Sequence, residues 1–323
     1  MARLHELFPG IDLPHVELGA TPTPVRRADV DGLDLWVKDE GRFGSGGWGG
    51  NKVRKLEWIL PEAQRRGVDT LFTVGGIGTH WGLAAALYGR ELGLRTVLGL
   101  VDQPIDEHVL DQQRALASSG ARIHRYSSVA RLKLAAPFVL ARLALRSRKW
   151  PYYLPAGGSS PVGTLGYVET ALEIGAQVAT GALPEPAAVV TAVGSGGTAA
   201  GLALGLRLAG LRTRVLGVVV NDAFRLDAQT IARLANRTAE LIRERGGDVR
   251  LVVAPDDLDV DHRWLGRTYG APTEHGTEAL ALAEPLRIAL EPVYTAKTLG
   301  ALCRRENHVD GPVLFLATHG PRP

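Results

Sequence analysis

A single cysteine, Cys303, stands in 323 residues, so neither an intrachain disulfide nor a cage of thiolate metal ligands can form. No metal site is expected, and Cys303 reads as a packed thiol. Long apolar runs are also missing. Leu132 to Leu145 is interrupted by Lys133 and Arg142 and falls short of the ~20 residues of a membrane span, so it reads as a buried or amphipathic helix with no membrane partner. Residues Met1 to Gly10 lack a basic segment leading into an apolar one, so no secretory signal is read and a cytoplasmic protein is expected. The net charge is only +3 despite a pI near 9.1, and no dense Lys/Arg run is interleaved with aromatics. Nucleic acid is therefore not an expected partner, whereas an anionic small ligand is. Lysine is scarce: six lysines, at 38, 52, 55, 133, 149 and 297, stand against 31 arginines. A guanidinium cannot form an imine at neutral pH but a partly desolvated amine can, so each lysine draws notice. Chance retention at solvated positions is the expectation for most of them.

With 45% hydrophobic and 22% charged residues the composition is that of a folded globular chain, long enough for two domains. From about residue 52, short β-branched runs alternate with longer helical patterns, which predicts a parallel α/β arrangement. The expected strands are 70–74, 95–101, 121–125, 187–193, 214–220, 249–253 and 313–317. Helices are expected over 53–66, 80–92, 107–119, 130–146, 165–178, 198–208, 227–245, 278–284 and 296–305, with Pro285 stopping the eighth. That many strands suits two sheets. The break is placed at Trp150–Pro161, where Pro, Gly and aromatics replace the periodic pattern.

Four segments could carry chemistry. Glu40 to Asn51 is dense in glycine and runs into a helix starting with Lys52. Such a loop admits close backbone approach, Asn51 suits a helix cap, and the positive helix end favours a neutral amine. A solvated surface loop fits the same residues. Gly194-Ser195-Gly196-Gly197-Thr198 follows a predicted strand and opens a helix, the arrangement of a phosphate site. It lacks the Gly-Lys-Ser/Thr ending of a nucleotide loop, and Asp222 alone keeps a dinucleotide reading open. Gly75 to Gly82 again joins strand to helix, with Thr79 and His80 placed either to contact a ligand or to serve as a cap and an exposed ring. Glu291-Pro-Val-Tyr294-Thr295-Ala-Lys297 offers a tyrosine able to act as acid or base, or simply to pack.

Together these segments resemble the family of 1-aminocyclopropane-1-carboxylate deaminases and D-cysteine desulfhydrases, pyridoxal-phosphate enzymes of the tryptophan synthase β type. The resemblance runs over nearly the whole chain. Its most specific part is Gly50-Asn-Lys-Val-Arg-Lys-Leu-Glu57, close to the family's Gly-Asn-Lys-x-Arg-Lys-Leu-Glu. It implies fold type II, with residues 1–52 plus 161–323 as a larger domain and 53–160 as a smaller inserted one. It further implies pyridoxal phosphate as cofactor, Lys52 as its covalent anchor and the mover of the Cα proton, and Asn51, Lys55 and Gly194 to Thr198 as cofactor contacts. The Gly75 segment matches the family's Gly-Gly-x-Gln-Ser-Asn-His imperfectly, with Gly78 for Gln, Thr79 for the substrate-contacting Ser, and His80 for the Asn that meets the cofactor hydroxyl. Thr79 and His80 are thereby implied as substrate contacts, and Thr79 as a catalytic residue. Tyr294 is implied as active-site acid, base or nucleophile, and Tyr269 as a second substrate tyrosine. Where the cyclopropane-opening enzymes present a carboxylate to the pyridine nitrogen, the corresponding position is Thr295. A hydroxyl there favours a neutral ring and a weaker electron sink, better suited to β-elimination than to ring opening. Leu286-Arg287 replaces a Glu-Gly of the family.

The implied activity is a lyase or deaminase acting on a small amino acid, releasing ammonia and a 2-oxo acid, in a homodimer. A β-substituting transferase and a cofactor-binding protein without ordinary turnover are the alternatives, since fold alone does not fix function.

Overall fold

The computed structural model describes residues 2–44, 50–105, 107–304 and 309–320, and its strands form two sheets. Thr70–Gly76 (β3), Arg95–Val101 (β4), Arg122–Tyr126 (β5) and Tyr152–Leu154 (β6) pair in parallel in the order β5-β4-β3-β6. The larger sheet combines Val25–Val30 (β1), Leu33–Asp39 (β2), Ala188–Val193 (β7), Arg214–Val219 (β8), Leu258–Asp261 (β9) and Val313–Ala317 (β10). Its order is β1-β2-β10-β7-β8-β9, parallel except for the β1-β2 hairpin. Central strands such as β10, buried along its whole length, read as continuous apolar runs because helices cover both faces. The chain has the α/β architecture of mostly parallel sheets flanked by helices.

Helices return the chain between strands. Asn51–Arg65 (α2), His80–Glu91 (α3), Glu107–Ser118 (α4) and Val129–Ser147 (α5) precede or join the small-sheet strands. Pro161–Ala179 (α6), Gly197–Leu208 (α7), Ala228–Glu244 (α8), Glu274–Ala283 (α9) and Thr295–Leu302 (α10) serve the larger sheet, and a short helix at Arg3–Leu7 (α1) begins the chain. Helix α6 is buried on most sides, with Val162, Leu165, Val168, Ala171 and Ile174 in the core beside the buried polar residues Glu169, Glu173 and Gln177. Gly166 lets α2 lie directly against it, for a Cβ there would meet the Arg54 carbonyl oxygen at 2.2 Å.

Four charges are sealed where β2, α2 and α6 meet. Arg54 donates to both Glu40 oxygens (2.9 and 3.0 Å) and to Glu173 (3.0 Å), while Lys38 donates to Glu173 (2.6 Å) and to the Gln177 side-chain carbonyl (2.9 Å). None of the four is more than 1% exposed. Burial would raise the Glu173 carboxyl, but Arg54 and then Lys38 outweigh it and hold the group down to about 2.

Several predicted elements moved. The hairpin of β1 and β2 is absent from the sequence reading, since Arg26, Arg27, Lys38 and Asp39 break its apolar pattern. Val249–Val253 is not a strand: Asn236 bonds both the N–H and the carbonyl of Val253 (2.8 and 2.9 Å), and that side chain supplies the pairing a neighbouring strand would have given. The sheet instead takes β9 a few residues later. Strand β6 lies within the segment read as an interdomain break. Of the helix predicted over 296–305, α10 ends at Leu302, and Arg305 lies outside the described residues.

Candidate active site

Three loops leave the carboxyl ends of strands and meet the start of α2, the usual place for a ligand in an open α/β sheet. Gly50, at φ 98°, makes the turn into α2 and is its cap; Asn51 is the first helical residue rather than the cap. A Cβ on Gly50 would stand 2.9 Å from the Thr318 carbonyl oxygen at the end of β10. Residues 45–49 of the predicted glycine-rich loop lie outside the described residues. Its first member, Glu40, is a partner of Arg54 instead of a loop residue.

Lys52 is half-buried, with Nζ 5.6 Å from the centroid of the Tyr294 ring. Burial draws its amine down to about 8, against the pull of the Glu291 carboxylate. Lys55, one turn on, is drawn to about 7 by burial and then by the charge of Lys52. Its Nζ donates to the Gly157 carbonyl at 2.9 Å.

The second predicted segment forms a small cradle beside Lys55. Gly196, at φ 85°, caps α7. The Ser159 hydroxyl accepts from the Gly197 N–H (3.0 Å) and lies 2.8 Å from the Ser195 hydroxyl. Added side chains would fill this space: a Cβ on Gly157 would come within 2.4 Å of Ser195 Oγ, and one on Gly197 within 2.6 Å of Ser159 Oγ and 3.2 Å of Lys55 Nζ. Thr198 is buried in the first turn of α7. Backbone N–H groups at a helix start, two hydroxyls and an ammonium together suit a phosphate. Asn51 Oδ1 is a buried acceptor with no partner among the described residues, which also fits a ligand with a donor to offer.

Tyr294 packs on Gly194, where a Cβ would meet its ring at 2.8 Å, and its hydroxyl lies 2.5 Å from that of Tyr269. Burial pushes both phenols above their usual range. Tyr269 is held in turn by Asp222, which accepts from the Thr268 hydroxyl (2.8 Å) and the Tyr269 N–H (3.3 Å). Asp222 thus has a structural partner here, which removes the one feature supporting a dinucleotide ribose site. Lys297 is buried and donates to the Leu265 carbonyl at 2.7 Å, pinning the same loop.

Thr79 caps α3, its hydroxyl accepting from Gly82 at 3.1 Å. The His80 Nδ1 lies 3.1 Å from the Gln112 amide nitrogen. Trp81 packs against Gly158, so the start of α3 abuts the turn that also meets Lys55. Thr295 is 2% exposed; its hydroxyl accepts from the Glu291 N–H (2.8 Å) and donates to the Glu291 carboxylate (3.2 Å).

Sequence reading gave no role to Glu291, Ser159, Gln103 or Gln112. Glu291 carried a signal, since it occupies the acidic position before Pro-Val-Tyr, and its carboxylate accepts from the N–H groups of Val293, Tyr294 and Thr295 (2.8, 2.9 and 2.8 Å). Gln103 carried none. Its amide, from the loop after β4, sits against the Gly76–Gly78 turn with Oε1 3.4 Å from the Gly78 nitrogen, and a side chain on Gly76 would collide with it. A small residue at 78 leaves that room.

Similarity to known proteins agrees with this geometry. Residues 16–319 match the family described as "Pyridoxal-phosphate dependent enzyme". A D-cysteine desulfhydrase of Salmonella choleraesuis is 32% identical over 95% of this chain and 94% of its own, and one of Salmonella newport is 31% identical over the same shares. Among solved structures, an ACC deaminase homologue is 29% identical with a TM-score of 0.79, over 98% of this chain and 94% of that one. A fungal L-serine ammonia-lyase from Rhizomucor miehei, at 18% identity and a TM-score of 0.61 over 96% of this chain and 95% of that one, shares the fold. The chain thus belongs to the pyridoxal-phosphate dependent enzyme family.

Proposed function

We propose that the protein eliminates a β-substituent from a small amino acid, as a D-cysteine desulfhydrase does, giving sulfide, ammonia and a 2-oxo acid. The observation that carries this reading is the Lys52 amine, drawn to about 8 and set 5.6 Å from the ring of a buried, protonated Tyr294. Pyridoxal phosphate, when bound, supplies the electron sink that makes a Cα–H acidic. Lys52 anchors it and then takes up the Cα proton as a base of suitable pKa. Lys55, Ser159 and the Gly194–Thr198 turn would hold the cofactor's phosphate, and Asn51 and His80 would meet the polar edge of its ring. Thr79 orients the substrate. Tyr294 keeps its proton at neutral pH and, with Tyr269 bonded to it, gives that proton to the departing sulfur. Thr295 would present a hydroxyl in place of a carboxylate to the ring nitrogen, and that hydroxyl is tied to Glu291, whose carboxylate also accepts three backbone N–H groups.

Closure of 53–160 on the rest, in a cytoplasmic homodimer, completes the proposal and would shield the reacting carbon from water. The test is product analysis with D- and L-cysteine, D-serine and aminocyclopropane carboxylate. Sulfide, ammonia and 2-oxo acid should form in equal amounts from one cysteine enantiomer, with the cyclopropane turned over far more slowly. Equal rates on the two substrates would remove the argument from Thr295.

The amine of Lys52 also sets a pH dependence. Only the neutral amine attacks a carbonyl, and a depressed pKa means the neutral fraction grows with rising pH, reaching one half near 8 and approaching completion roughly one unit higher. Covalent uptake of pyridoxal phosphate by cofactor-free protein should accordingly accelerate with pH and level off there. A rate still climbing towards the ordinary lysine range would show that Lys52 is not desolvated in this way.

A further inference from the structure

Helix α5 has a face that no described residue covers. Of its 19 residues only Leu132 is buried, while Leu134, Phe138 and Leu145 are 73%, 77% and 84% exposed. With Ala141 they are spaced by four, three and four residues, and at about 100° per residue they share roughly 60° of arc.

The chain around this stripe is rich in cations. From Gln112 to Val168 it carries nine Lys or Arg and no Asp or Glu, and of the nine, Arg114 and Arg125 pair with Asp111 and Asp102 outside that span. Arg122, Arg142 and Arg146 line a groove of about 150 Å³ between β5 and α5, together with His124, Phe138 and Leu143. Burial, and then the Arg122 and Arg142 charges, hold the His124 imidazolium below its usual range. Among the described residues no carboxylate pairs with Arg122, Arg131, Lys133, Arg142 or Arg146.

We propose that this face docks on an anionic lipid bilayer, with α5 lying in the plane of the headgroups. No described helix is long and apolar enough to cross a membrane, but an exposed apolar stripe flanked by arginines is the pattern of a helix that rests on one. Leu134, Phe138 and Leu145 enter the acyl boundary, while Arg131, Arg142 and Arg146 meet the lipid phosphates. A second copy of the chain is the poorer occupant, since two-fold pairing would set these unpaired cations against themselves. A polyanion such as nucleic acid would satisfy the arginines and leave the stripe wet.

The test is co-sedimentation of the holoenzyme with vesicles of phosphatidylcholine, with and without phosphatidylglycerol. Binding should be confined to the anionic vesicles and should weaken as salt is raised. Phe138→Gln with Leu145→Gln, and separately Arg142→Gln with Arg146→Gln, should each lower affinity by about tenfold or more, with turnover of soluble substrate and the circular dichroism spectrum unchanged. The arginine pair alters exposed charge alone, so it tests the idea even if the apolar pair folds poorly. Absence of binding to anionic vesicles would overturn the proposal. So would conversion of a wild-type dimer to a monomer by Phe138→Gln with Leu145→Gln, which would make the stripe a contact between copies.

Discussion

Lys52→Ala should lose covalent attachment of pyridoxal phosphate, and its kcat/KM for β-elimination should fall by about 10³-fold or more, the scale on which a general base acts. The expectation rests on two jobs falling to one amine, anchoring the cofactor and moving the Cα proton. Lys55 is the control that makes the result informative. The two amines lie one turn apart and are drawn to similar values, about 8 and about 7, so pKa alone does not choose between them. Geometry does: Lys55 Nζ is committed to the Gly157 carbonyl beside the phosphate cradle, whereas Lys52 Nζ stands over Tyr294. Lys55→Ala should therefore keep the covalent link while binding cofactor more weakly. Borohydride reduction followed by mass analysis reads both variants, and a cofactor still fixed in Lys52→Ala would transfer the anchoring role to another residue.

Arg54→Met should destabilise the fold by about 3–5 kcal/mol, the usual cost of stripping one partner from a buried ion pair. The cluster of Lys38, Glu40, Arg54 and Glu173 is neutral only as a whole, and its members are at most 1% exposed. Removing Arg54 leaves two carboxylates facing one lysine, sealed away from the solvent that would screen the excess. Arg54 also spreads its guanidinium over the Phe43 ring at 3.9 Å, a contact methionine replaces only in part. The double variant Arg54→Met with Glu173→Gln restores neutrality, so it should be less destabilised than the sum of its two parents. Urea unfolding measures all three, and a change below about 1 kcal/mol for Arg54→Met, the range of exposed pairs, would show the cluster to be solvated.

Much of this was readable from sequence because it is local. The βα alternation, the glycine turns at 75–78 and 194–197, and the start of α2 each follow from a few neighbouring residues. What escaped depends on partners far along the chain. Lys38 breaks the alternating pattern of β2, and nothing nearby says that Glu173, on α6, will neutralise it. Ser159 and Gln103 likewise reach the site from loops whose own sequence carries no motif. The lysines show the same divide. Solvated positions were expected for most, yet Lys38, Lys55 and Lys297 are buried, Lys52 is half-buried, and only Lys133 and Lys149 are exposed. An amine can enter a site by giving up its proton or by finding a single acceptor, an option closed to the arginines that dominate this surface.

The turn at Gly157–Gly158 belongs to neither sheet alone. It leaves β6 of the small sheet, accepts the Lys55 ammonium, crowds Ser195 at the start of α7 and carries Trp81 at the start of α3 on its other side. Under the proposed closure, a swing of the small sheet would hinge near that corner, as a jaw does at its joint. The proposed phosphate site and the start of α3, where Thr79 and His80 adjoin Trp81, would then both lie close to the hinge and travel little.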